Sequence, residues 1–166
     1  MLWKIKKNKF TNIVICLIAI TFLTAFNSSS YNSSIQIKSL KTNITHNFKI
    51  NIASEEESKQ KGLMFIKNLP EDHGMLFEFK KERMVFMWMK NTKISLDMIF
   101  INKAGEIVSI KKRARPESLD TISSDHVVQK VLEINGGLTD KLGIEVGDMI
   151  LIENVLQKKD SSRAVN

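Results

Sequence analysis

Leu96-Asp97-Met98-Ile99-Phe100-Ile101-Asn102-Lys103-Ala104-Gly105-Glu106-Ile107-Val108-Ser109-Ile110 holds two short apolar runs joined by a polar turn. Runs of this length, rich in Ile, Val and Phe, suit strands better than helices. The turn Asn102-Lys103-Ala104-Gly105 puts a glycine where a hairpin wants positive φ. The stretch therefore reads as a β-hairpin, and the same pattern continues on both sides of it.

Toward the C-terminus, residues 113–124 contain Pro116 and many polar side chains and read as a loop. Residues 127–134 are dominated by β-branched types and lean to strand. Gly136-Gly137 precede a helical turn over 138–142 that Gly143 stops, and Gly147-Asp148 turns into a last strand over 149–152. Toward the N-terminus, residues 84–89 are too short and too aromatic to prefer a helix, and Gly74 opens a strand over 75–79. Ile35, Ile37 and then Phe48, Ile50, Ile52 alternate with polar residues, as two half-buried strands would, with Lys41-Thr42-Asn43 as the turn between them. One short helix follows. Ser54 and Glu57 have capping-box spacing, Glu55 and Glu56 suit the positive helix end, Lys59 and Lys61 the negative end, and Gly62 the stop. The expected class is α+β, mainly β: a compact curved antiparallel sheet or small barrel with one or two short helices.

The chain of 166 residues fits one domain plus tails, and 43% hydrophobic residues is enough for a real core. The net charge is +7, but Lys4, Lys6, Lys7 and Lys9 precede any acidic residue; setting those four aside leaves +3, an ordinary surface. No long basic run is interleaved with aromatics, so no nucleic-acid partner is expected. Cys16 is the only cysteine and sits in an apolar N-terminal run. A disulfide, a thiolate metal site and a cysteine nucleophile are thus excluded from the folded domain, and no cofactor is expected.

Residues 1–12 are basic, 13–26 almost wholly apolar, and 27–30 small and polar. That is the layout of a secretory signal, with an apolar run shorter than the roughly 20 residues that span a bilayer comfortably. The reading is a signal peptide or N-terminal membrane anchor over 1–27, a linker over 28–34, a β-rich domain over 35–156 and a disordered tail over 157–166. The domain is expected outside the cytoplasm, in the periplasm or cell envelope, and touches the membrane only through the N-terminal segment if that is uncleaved.

Within the domain, Gly62-Leu63-Met64, Gly74-Met75-Leu76-Phe77, Trp88-Met89-Lys90-Asn91-Thr92 and Leu96-Asp97 follow one another, and Val131-Leu132-Glu133, Gly136-Gly137 and Gly147-Asp148 come later. This succession resembles the domain of unknown function 192, a bacterial and archaeal family of small, often secreted proteins. The resemblance covers about residues 51–152. The family usually has Arg where this chain has Lys59, and commonly Pro where it has Ser95. The resemblance implies a compact β-rich fold and an extracytoplasmic location, and no activity.

The Trp-Met-Lys-Asn-Thr string supports two readings. In one, Asn91 and Thr92 satisfy backbone groups at a turn and Asp97 pairs with Lys90. In the other these groups form a small polar pocket. Lys90 is its cation, Asn91 and Asp97 its hydrogen-bonding groups, Trp88 its stacking wall, and Lys59 contributes from the helix. Such a mixture suits a sugar or a small carboxylate. Two further chemistries are open. Asp97 and Glu133 are candidates for a carboxylate pair in a hydrolase. Met84, Met87 and Met89 crowd around Trp88, and thioethers select Cu(I), although Met is also a common core filler. His46, His73 and His126 are scattered, His73 in a turn that favours exposure. Ser124-Asp125-His126 is no triad by adjacency alone, since triads assemble across a fold. The favoured function is a non-catalytic binding or envelope-associated module.

Overall fold

The computed structural model describes residues 33–153. The expected signal or anchor at 1–27, most of the linker and the tail lie outside the described residues. The elements are β1 (Ser33–Lys38), β2 (Thr45–Ala53), α1 (Glu56–Lys61), β3 (His73–Arg83), β4 (Phe86–Met87), β5 (Leu96–Ile101), β6 (Ile107–Ala114), β7 (Ile122–Ser123), β8 (Val128–Asn135), α2 (Leu138–Leu142) and β9 (Met149–Glu153). The α+β, mainly β expectation holds.

Seven strands form one sheet in the order β6-β5-β8-β3-β2-β1-β9, and β4 pairs with β7 apart from it. Neighbours run antiparallel except β2 and β3, which are parallel. The exception follows from the connection: 19 residues including α1 separate these two strands, and a crossover of that length is what a parallel pair requires. The sheet curls until its end strands meet at one corner. Glu106 bridges Met149, and the amides of Ile107 and Ile150 donate to the carbonyls of Asp148 and Gly105 at 2.9 and 2.7 Å.

Strand alternation divides the apolar residues between two cores. All seven sheet strands feed the first, through side chains such as Ile35, Ile50, Leu76, Ile99, Ile107, Leu132 and Ile150, with Leu138 of α2 and Ile144 closing it. It is therefore the enclosed interior of the curl. Phe77, Met98, Phe100 and Val131 point the other way and are covered by Leu63, Leu69, Val85 and Met89 from the connecting segments. Every residue of β5 is buried, which is why it is written as a continuous apolar run with one carboxylate. Gly74 is needed at the β3–β8 seam: a Cβ there would lie 2.7 Å from the Glu133 carbonyl oxygen.

Three local expectations are corrected. The capping box does not form. Glu55 is the N-cap of α1 and no side chain caps it, while the Ser58 hydroxyl donates to the Glu55 carbonyl at 2.7 Å. Residues 84–89 contain only a two-residue strand, because Met89 turns inward where its amide donates to the Ser118 carbonyl. The loop read over 113–124 starts later, since β6 runs through Ala114, and β7 lies within it.

Candidate functional site

The segment that leads into α1, the helix itself and the Gly62-Leu63-Met64 turn form one wall of a cleft on the outer side of the sheet. The outward residues of β3 and the segment from Val85 to Thr92 form the rest. Its volume is about 690 Å³, within the range of small-molecule sites. Leu63, Phe77 and Val85 make its base apolar. Trp88 stands at the edge, 50% exposed, with Lys90 Nζ 5.1 Å from its ring centre. Across the cleft Phe79 carries two cations, Lys59 Nζ at 5.5 Å and the Arg83 guanidinium at 5.3 Å. Placing a cation over a ring face is attractive, because the π cloud is electron-rich. Six cations line the cleft (Lys59, Lys61, Lys80, Lys81, Arg83 and Lys90) against three carboxyl groups, Glu55, Glu56 and Glu133.

Glu133 is unlike the other two. It lies on β8, directly opposite Met75 of β3 and Met98 of β5, and is 4% exposed. No described residue hydrogen-bonds its carboxyl, which keeps a narrow opening to the cleft; the one side-chain atom both sealed and unpaired among the described residues is His46 Nε2. Burial pushes its pKa up to about 8, because the charged form loses its hydration and receives nothing in exchange. At pH 7 it is a neutral acid, able to donate one hydrogen bond and accept others. This is the strongest polar feature of the cleft. Its trace in the sequence is a carboxylate within the apolar run Val131-Leu132-Glu133, a residue type almost never fully buried without a partner.

Of the sequence-predicted binding residues, Trp88, Lys90 and Lys59 line this cleft together. Asn91 does not. It sits at φ 56°, a left-handed turn position that Asn tolerates. Its carbonyl accepts from the Phe65 amide at 2.9 Å and its side-chain amide faces Met64 Sδ at 3.8 Å. The Thr92 hydroxyl donates to the Lys90 carbonyl at 3.3 Å. The turn reading therefore describes Asn91 better than the pocket reading.

Asp97 is a second correction. It is 0% exposed and accepts four hydrogen bonds: the amides of Arg113 and Gly137 at 2.8 Å, the Thr139 amide at 2.9 Å and the Thr139 hydroxyl at 2.6 Å. It caps α2 from a distant strand, and Lys90 is not its partner. Nor does it pair with Glu133. Asp97 is in register with Ile134, while Glu133 is in register with Met98. Adjacent residues of a strand point to opposite faces, so the two carboxyls lie on opposite sides of the sheet. Asp97 and Glu133 therefore do not form the carboxylate pair expected of a hydrolase.

The three methionines offered for Cu(I) fall into three environments. Met89 is wholly buried in the outer core, Met87 lines the cleft, and Met84 is exposed and outside it. Ser124 is buried, donating to the His126 carbonyl at 2.6 Å and accepting from the Val85 amide at 3.1 Å, which ties two segments together and leaves no free hydroxyl for catalysis. His73 is mostly buried rather than exposed and pairs with Asp72 at 2.6 Å. Among the described residues no group of His, Cys, Asp and Glu has the arrangement of a metal site, and no helix is long and apolar enough to cross a membrane.

The chain is similar to two solved structures. One is a Sinorhizobium meliloti 1021 protein described as a "putative transcription regulator", 37% identical, with 72% of this chain and 92% of that one covered and a TM-score of 0.71. The other, from Novosphingobium aromaticivorans DSM 12444, is described as a protein of unknown function. It is 32% identical, with 71% and 83% covered and a TM-score of 0.68. No curated protein matches the chain. The DUF192 family model, described as an uncharacterized group, matches residues 37–152. That span takes in the sheet from the end of β1 through nearly all of β9 and both walls of the cleft, and the chain belongs to the DUF192 family.

Proposed function

We propose that this domain is a non-catalytic binding module that works outside the cytoplasm and holds a small molecule in the cleft between Trp88, Lys90 and Lys59. One observation carries the reading: a cleft of ligand size whose lining includes the nearly buried Glu133 carboxyl, open only toward the cleft and hydrogen-bonded by no described residue. A buried polar group left unpaired costs stability, and a bound molecule is one way to satisfy it. The exposed indole and the cations at the mouth supply the stacking face and the charge that orient a small ligand. The hydrolytic alternative loses its carboxylate pair, since Asp97 and Glu133 lie on opposite sides of the sheet. The location rests on the basic, apolar and small-polar order of residues 1–30.

Native mass spectrometry of the full chain, purified from the cell envelope, tests the binding reading. A bound small molecule that disappears in Trp88→Ala supports it; an apo mass in every preparation, with no small molecule perturbing Trp88, overturns it. Location is tested separately. Asp at positions 17 and 20, in place of Leu17 and Ile20, should keep the protein in the cytoplasm, because charge in the apolar run opposes insertion by several kcal/mol. Normal export of that variant defeats the extracytoplasmic assignment.

A further inference from the structure

We infer that the cleft's ligand is a ring-bearing monocarboxylate with a hydroxyl at its far end, the carboxylate held at the cationic mouth, the ring against Trp88 and the hydroxyl at Glu133. This deepens the binding reading and rests on it. Three separate features of the cleft lead there, one for each part of the molecule.

The first is charge. The mouth carries six cations, and two of its three carboxyl groups, Glu55 and Glu56, are exposed at its edge. A ligand entering meets an excess of positive charge with a low-dielectric wall behind it, which favours an anion. The second is shape and polarity. Phe77, Leu63 and Val85 form an apolar base, and half of Trp88 is open to solvent. Aromatic and sugar rings both present an apolar face that stacks on an indole. The third is Glu133. Its strand neighbours, Met75 and Met98, bring no charge and no donor. The charged groups that line the cleft with it are Glu55, Glu56, Lys59 and Lys61 from the α1 side, Lys80, Lys81 and Arg83 from β3, and Lys90 from the turn beyond Trp88. None of them offsets the effect of burial on Glu133, whose pKa stands at about 8. Below that pH it repels no anion and exchanges hydrogen bonds with a hydroxyl. Above it the hydroxyl can still donate to the carboxylate, but the cleft gains a negative charge that opposes the ligand's own and lowers its affinity.

Aromatic and saccharide acids share this chemistry, so the test uses one of each: 4-(hydroxymethyl)benzoate and glucuronate, with 4-(hydroxymethyl)benzamide as the neutral counterpart of the first. The full chain is titrated with each, and the Trp88 indole N–H resonance, assigned by its loss in Trp88→Phe, reports occupancy. At pH 6.5 at least one acid should bind, and the amide at least tenfold more weakly than the benzoate if the benzoate is the binder. Whichever acid binds identifies the source. Lys90→Met should weaken the acid severalfold and leave the amide unchanged. Between pH 6.5 and 9 affinity should fall at least tenfold in the parent and stay level in Glu133→Gln, since lysines remain charged over that range. The inference is overturned if the amide binds as well as the benzoate, if the pH effect persists in Glu133→Gln, or if neutral ring compounds shift Trp88 and neither acid does. In those cases the binding reading survives; if no compound of either kind shifts Trp88, both fall.

Discussion

Two carboxylic acids are buried in neighbouring strands of one sheet, and the molecule treats them in opposite ways. Asp97 of β5 faces the interior and accepts four hydrogen bonds, three of them from backbone amides. Glu133 of β8 faces outward between Met75 and Met98 and accepts none among the described residues. Burial alone therefore says little about a carboxylate's role. What separates the two is whether the fold satisfies the group itself. Asp97 is structural because everything it needs comes from α2 and β6. Glu133 is a candidate for function because the fold leaves it open toward a cleft.

Removing the first acid should have the largest effect. Asp97→Ala strands three amides and a hydroxyl in the interior, at about 1–3 kcal/mol per unsatisfied group before relaxation. A loss of about 4 kcal/mol is expected by chemical denaturation, with α2 undocked. A loss below 1 kcal/mol would break the contrast on the Asp97 side.

Glu133 should make stability depend on pH. Its pKa rises from 4.5 in the unfolded chain to about 8 in the folded one. Below pH 4.5 both states hold the proton and burial carries no charge penalty. Between 4.5 and 8 the unfolded state releases the proton while the folded state keeps it, so stability falls as pH rises, by a few kcal/mol in all, and levels off above 8. Glu133→Gln should remove that slope and be the more stable protein at pH 8. Denaturation midpoints at pH 5, 6.5 and 8 check this; parallel profiles for parent and variant would show that Glu133 is not buried as an acid.

A smaller effect sharpens the Asp97 side. Gly137 donates to Asp97 at φ 86°, where a Cβ would also lie 3.1 Å from the Arg113 guanidinium. Gly137→Ala should cost about 1–2 kcal/mol from the left-handed backbone, measured as a lowered denaturation midpoint. The smallest effect is at Ser54. Its side chain caps nothing, so Ser54→Ala should change stability by less than about 0.5 kcal/mol; a loss of 1 kcal/mol or more would mean that α1 begins one residue earlier in solution.

The strands and turns were legible because their causes are local. Alternation at Ile35 and Ile37, the glycine of the Asn102-Lys103-Ala104-Gly105 turn at φ 89° and the stop at Gly143 at φ 66° each follow from residues within one turn or one strand. Half of the candidate site was legible for the same reason: Trp88 and Lys90 are close in sequence and stay together. The capping box failed because its spacing is a statistical preference, and the chain enters α1 one residue late. Sequence proximity and polarity alone place Asn91 and Asp97 in one pocket with Trp88 and Lys90. Their actual partners, Phe65 and Met64 for one and Arg113, Gly137 and Thr139 for the other, lie between 16 and 42 residues away.

By itself, then, the amino-acid sequence determined a β-rich domain of the DUF192 type, the strands of its seven-stranded sheet though not the short β4–β7 pair, and the presence of an indole beside a lysine. These depend on side-chain size, branching and charge over short spans. Only the tertiary structure decided the parallel β2–β3 pair, the curl that brings Glu106 to Met149, and the sides of the sheet on which Asp97 and Glu133 lie. One residue of register reverses which face a strand residue occupies. That register is set by pairing across the whole sheet, so no local pattern could distinguish the acid that caps a helix from the acid that waits at the base of a cleft.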